Sequence, residues 1–97
     1  MTITSGNLLS NLPLSPAAEV FEPLFHCNEI RLERIISTGQ ATPPGEWLVQ
    51  SWDEWVVLLT GEARLLIEGE AAPRQLRPDD WIKITIPVEI GGFRLKF

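Results

Sequence analysis

The feature that most constrains this chain is its punctuation. From Pro43 onward, turn-forming clusters recur as Pro43-Pro44-Gly45, Gly61-Glu62, Gly69 to Pro73, Arg77-Pro78-Asp79-Asp80 and Pro87 to Gly92. Between them, apolar and polar residues alternate with the period of a β-strand. Ala63, Leu65 and Ile67 alternate with Arg64, Leu66 and Glu68. Ile82, Ile84 and Ile86 alternate with Trp81, Lys83 and Thr85, and Phe93, Leu95 and Phe97 with Arg94 and Lys96. Glu46 to Gln50 and Arg74 to Leu76 read as short strands, with Ser51-Trp52-Asp53 turning the first. Short strands separated by turn signals about every 8 to 12 residues mark an all-β sandwich or barrel.

Pro43 to Glu70 is the densest part of this pattern. It holds three of the four tryptophans and the longest apolar run, Trp55 to Leu59. Glu54 to Thr60 is apolar on both faces, which predicts a central strand covered on both sides. Gly61-Glu62 predicts a hairpin-like turn into the next strand. If the protein has a pocket, this stretch is the expected wall.

The first third of the chain is less regular. Residues 1–14 read as an extended arm, leaving 15–97 as a single domain. Ser15 can cap a helix and Pro16 suits a first helical position, so a short helix is predicted over Ser15 to Glu22, ended by Pro23. Glu29 to Ser37 reads as a strand because β-branched Ile35 and Ile36 precede Thr38 and Gly39. Thr38 to Pro44 is a connection.

Composition narrows the partners. At 97 residues the chain is one domain with a modest core. A net charge of −5 argues against nucleic acid, which needs a basic surface. No apolar stretch approaches the roughly 20 residues that span a bilayer, and the N-terminus carries neither the basic residue nor the apolar run of a secretory signal. Cys27 is the only cysteine, so no internal disulfide forms, in keeping with a cytoplasmic location. His26 is the only histidine, and with Cys27 it cannot close a Cys/His zinc site within one chain.

One arrangement of residues resembles a known family. Pro44-Gly45, then Glu54, then Gly61 and an apolar strand look like the first motif of the cupin superfamily. Leu76-Arg77-Pro78-Asp79-Asp80-Trp81 looks like the cupin turn that usually reads proline-glycine-aspartate. The resemblance implies a cupin-like jelly-roll barrel or sandwich, here with a short N-terminal helix. It also implies a divalent metal held by histidines and a glutamate, and Glu54 matches that glutamate. The matching histidine positions fall at Leu48 and Gln50, or at Trp47 and Val49, and Thr85 to Gly92 carries no histidine for the second motif. The resemblance therefore implies the fold without the usual metal triad. Relative to a typical cupin the chain ends one or two strands short, which implies an unpaired edge covered by a second copy in a homodimer.

The candidate site residues follow from both lines of reasoning. Trp47, Gln50, Glu54 and Trp55 are the expected lining of a pocket for a small-molecule ligand. Glu54 beside Asp53 could form an acid and base pair, although Asp53 also suits a structural role in the turn. A metal could recruit Glu54 or His26, with no further cofactor expected. His26 and Cys27 point to opposite sides of an extended segment, a poor geometry for a nucleophile and its base. The leading expectation is a cupin-domain protein that binds a small molecule without catalysing a reaction. The alternatives are a metal-dependent enzyme with an atypical ligand set around Glu54, and a structural β-protein that self-associates through its edge strand and N-terminal arm.

Overall fold

The computed structural model describes residues 1–13, 19–37 and 45–97. The described residues contain eight strands and no helix. Among them, no helix is long and apolar enough to cross a membrane. The chain divides into two compact units, Met1–Gln40 and Ala41–Phe97.

The first unit is built on an antiparallel pair, β1 (Val20–Cys27) and β2 (Ile30–Ile36). Asn28 and Glu29 turn between them, and Asn28 adopts a φ of 51°, a left-handed conformation that asparagine tolerates better than most residues. The helix predicted over Ser15 to Glu22 is corrected here. Val20, Phe21 and Glu22 lie in β1, opposite Ile36, Ile35 and Arg34, while Ser15 to Ala18 fall outside the described residues. A two-turn helix ended by proline is marginal by itself, whereas Val20 and Phe21 gain apolar cross-strand partners. The register shifts between Pro23 and Phe25, so Leu24 is a bulge beside a proline that has no N–H to give the ladder. The predicted connection over Thr38 to Pro44 lies outside the described residues.

Arg34 ties the N-terminal arm to this hairpin. Its guanidinium donates to the Leu8 carbonyl at 3.0 Å, the Ser10 carbonyl at 2.8 Å and Glu22 at 2.7 Å. The arm is pre-shaped by Asn7, whose side-chain oxygen accepts from the Leu9 N–H at 2.8 Å. Among the described residues of the arm, Leu8, Leu9 and Leu12 are exposed, so Arg34 and not these leucines holds it.

The second unit contains two sheets. One has four strands in the order β3 (Leu48–Gln50), β8 (Phe93–Lys96), β5 (Ala63–Ile67), β6 (Arg74–Leu76). The other pairs β4 (Glu54–Val57) with β7 (Trp81–Ile84). The pairings among the described residues are antiparallel, and no closed barrel forms among them. Leu65, Leu76 and Leu95 are buried on the four-stranded sheet, and Leu65 is completely shielded from water. Each fully buried leucine contributes about 1.5–3 kcal/mol.

Two expectations for the tryptophan-rich stretch change. Gly61, with φ of 82°, does not close a hairpin. It passes the chain from one sheet to the other, because β4 pairs with β7 while β5 pairs with β6 and β8. Nor is β4 covered on both sides: Trp55 is 57% exposed and the only described neighbour of β4 is β7. The proline-acid turn forms as expected. The Arg77 N–H donates to Asp80 Oδ2 at 2.9 Å and the Asp80 N–H returns a bond to the Arg77 carbonyl at 2.9 Å.

Candidate functional site

Strand register decides which candidate residues share a face. In the four-stranded sheet, Leu48 pairs with Leu95 and Gln50 with Phe93, so Gln50 lies on the same face as buried Leu95. In the two-stranded sheet, Glu54 pairs with Ile84 and Val56 with Ile82. These four side chains form the less exposed face, and Glu54 Oε2 is out of contact with solvent. Gln50 and Glu54 are thus the polar members of otherwise apolar faces. They stand at either end of the Ser51-Trp52-Asp53 turn.

Trp47 and Trp55 lie elsewhere. Lys96 Nζ sits 4.6 Å from the centre of the Trp47 ring and Arg94 Cζ 5.6 Å from it. Arg94 pairs with Val49, on the face opposite Gln50 and Leu95. Arg94 also donates to Glu68, and that bond holds its guanidinium above its ordinary pKa. Trp47 is therefore the base of a cationic cluster on the outer side of the sheet. Trp55 pairs with Lys83 on the exposed face of β4 and stacks on Trp81, with ring centres 6.3 Å apart. The four residues expected to line one pocket are divided, with Gln50 and Glu54 on the less exposed faces of their sheets and Trp47 and Trp55 on the opposite ones. Alternation alone assigns Trp47 and Val49 to one side and Leu48 and Gln50 to the other; it does not say which side is buried.

Asp53 has a structural task. Its Oδ1 accepts from the Ile86 N–H at 2.9 Å, one step beyond the β4–β7 ladder. That bond explains why the alternating run predicted to Ile86 stops as a strand at Ile84. It also engages the carboxylate that would have partnered Glu54 in acid and base chemistry. Gly92, one residue before β8, lies against the end of β3 in the same sheet. A Cβ there would meet the Gln50 carbonyl oxygen at 2.8 Å, so only glycine permits this approach.

His26 is exposed in β1 opposite Arg31, and Cys27 is exposed beside the hairpin turn. Both belong to the first unit, whereas Glu54 belongs to the second. Among the described residues, no three His, Cys, Asp or Glu side chains gather in a group suited to a metal ion. At the positions where cupins place their ligands, Gln50 and Glu54 offer two oxygen donors, Leu48 offers none and no imidazole is present. This donor set does not fit a three-histidine, one-glutamate centre.

Neither a protein-family model nor a curated protein matches the chain. A solved structure is similar to it: a candidate mannose-6-phosphate isomerase from Ralstonia eutropha JMP134. It shares 39% identity and superposes with a TM-score of 0.84 over 97% of this chain and 82% of that one.

Proposed function

The chain belongs to the cupin superfamily, and we propose that within it this protein is a small-molecule-binding domain that works without the superfamily's usual metal triad. The observation that carries this reading is the placement of Gln50 and Glu54 on faces otherwise lined by Leu48, Phe93, Leu95, Val56, Ile82 and Ile84. An amide that donates and accepts and a carboxylate that accepts both suit a hydroxylated ligand. The carboxylate disfavours an anionic group at that end, so the hydroxyl-bearing part of a sugar is the better match. The similar Ralstonia protein, a candidate isomerase of mannose 6-phosphate, supports a sugar-like ligand class.

Calorimetric titration of chelator-treated protein with mannose and mannose 6-phosphate tests the proposal. A saturable signal is expected in the absence of metal, with at least a tenfold loss in Gln50→Leu and in Glu54→Leu. Titrations that stay silent until a divalent metal is restored, or unchanged binding in both variants, would overturn it.

A second reading is favoured by the identity to the Ralstonia protein: a sugar-phosphate isomerase with an atypical ligand set around Glu54. Isomerisation of an aldose through an enediol needs a base to carry a proton from carbon 2 to carbon 1, and in this reading Glu54 would be that base. Conversion of mannose 6-phosphate to its ketose isomer, dependent on Glu54 and on added manganese or zinc, would replace the first reading with this one.

A further inference from the structure

Two crossings join the sheets of the second unit. Residues 51–53 carry the chain from β3 in the wide sheet to β4 in the narrow one, and residues 85–92 carry it back from β7 to β8. The pairs Gln50–Phe93 and Glu54–Ile84 fix their ends, so both crossings bridge the same gap side by side. They are also fastened to each other at two points. Asp53 Oδ1 accepts from the Ile86 N–H at 2.9 Å. At the other end, a Cβ on Gly92 would stand 2.8 Å from the Gln50 carbonyl oxygen and 3.6 Å from Ser51 Cα.

Three residues suffice for one crossing, whereas the other uses eight. The surplus lies between the two fastenings, over Pro87 to Gly91, and stands out from the sheets. It forms a turn of its own. The Ile90 and Gly91 N–H groups both donate to the Pro87 carbonyl, at 3.0 and 3.3 Å, and Gly91 adopts a φ of 75°. On this turn Val88 is 95% exposed and Ile90 65%. Outside the N-terminal arm, Val88 is the most exposed large apolar side chain among the described residues.

We propose that Pro87 to Gly91 is a flap that closes over a ligand held by Gln50 and Glu54, with Val88 and Ile90 laid against the ligand's C–H surface. The inference rests on the proposed small-molecule site and adds how that site shuts and which residues complete it. Gln50 is the last residue before the short crossing and Glu54 the first after it, so the flap is fastened beside both ligand-binding residues. Val88 lies two residues beyond Ile86 and Ile90 two before Gly92, a reach of about 7 Å from either fastening. A sugar whose hydroxyls are bonded by an amide and a carboxylate still has apolar carbons to cover. Closure removes those carbons and both side chains from water together. The loop is already a formed turn, so it moves as a unit on ends that stay fastened.

An NMR titration of the metal-free full chain with mannose provides the test. The Val88 and Ile90 methyl signals are expected to shift along the same saturation curve as the Gln50 side-chain amide. Val88→Ser and Ile90→Ser together should raise the dissociation constant about fivefold, through faster release at an unchanged entry rate, since the flap is open when the ligand arrives. Both side chains already meet solvent, so the thermal midpoint of this variant should match the parent's. Shifts at Gln50 with both flap methyls still overturn the flap and leave the ligand site standing. A variant that binds and releases mannose as the parent does has the same consequence. A Gln50 signal that never moves overturns the ligand site and the flap with it.

Discussion

The two sheets of the second unit start from similar alternating sequences and end in different states. Leu65, Leu76 and Leu95 on the four-stranded sheet are removed from water, whereas β4–β7 leaves both of its tryptophans more than half exposed. Width accounts for much of this contrast. A strand flanked on both sides, as β5 and β8 are, has its face shielded by neighbouring side chains; a two-stranded ladder has none beyond its own pair. The wide sheet carries the buried leucines of the second unit, and the narrow one leaves its indoles in solvent.

The largest expected effect separates the two roles. Leu95→Ala should destabilise the protein by about 2–5 kcal/mol, read as a lower midpoint in urea at unchanged slope. Trp55→Ser, on the narrow sheet, should cost no more than about 1 kcal/mol, because its indole already meets solvent and loses chiefly the stacking on Trp81. Equal losses at the two positions would break the contrast. A smaller effect sharpens it on the outer side of the wide sheet. Trp47→Leu removes the ring beneath Lys96 and Arg94 and should cost about 0.5–1 kcal/mol beyond the packing change. A double-mutant cycle with Lys96→Met isolates that term, and a coupling of zero would assign Trp47 to packing alone.

The smallest expected effects are in the pH dependence. The hydrogen bond from Arg74 holds the Glu70 carboxyl below its ordinary range. A carboxyl whose folded pKa is depressed stabilises the fold above its unfolded pKa, and that contribution fades as pH falls through the folded one. In the first unit, burial pushes Glu19 the other way. Its stabilising share is present below the unfolded pKa and is lost as pH rises through the raised value. Glu70→Gln should therefore destabilise slightly at pH 7 and not at pH 2.5, and Glu19→Gln should stabilise slightly at pH 7. Thermal melts of both variants at the two pH values check the opposite signs.

Much of the strand plan was legible from the residues. Ala63 to Ile67 and Arg74 to Leu76 occupy the ranges that alternation and turn chemistry predict. The Arg77 to Asp80 turn also follows from its proline and acids. The start of β1 was not legible, because Ser15 and Pro16 imitate a helix start while the pull toward a strand comes from distant Ile35 and Ile36. The candidate site was half legible. A period of two places Trp47 and Gln50 on opposite sides, yet only the pairing with β8 shows which side is buried. The Trp55–Trp81 contact had no local signal at all, since it joins residues 26 positions apart through the β4–β7 register.

The proposed ligand site lies on the less exposed faces of the two sheets, not at the tryptophans. Its most direct test is an NMR titration of metal-free protein with mannose, following the Gln50 side-chain amide and Ile84 methyl signals against the indole N–H signals of Trp55 and Trp81. Saturable shifts at Gln50 and Ile84, with both indoles still, are the predicted result. Shifts confined to the indoles, with Gln50 and Ile84 unmoved at saturation, would contradict it.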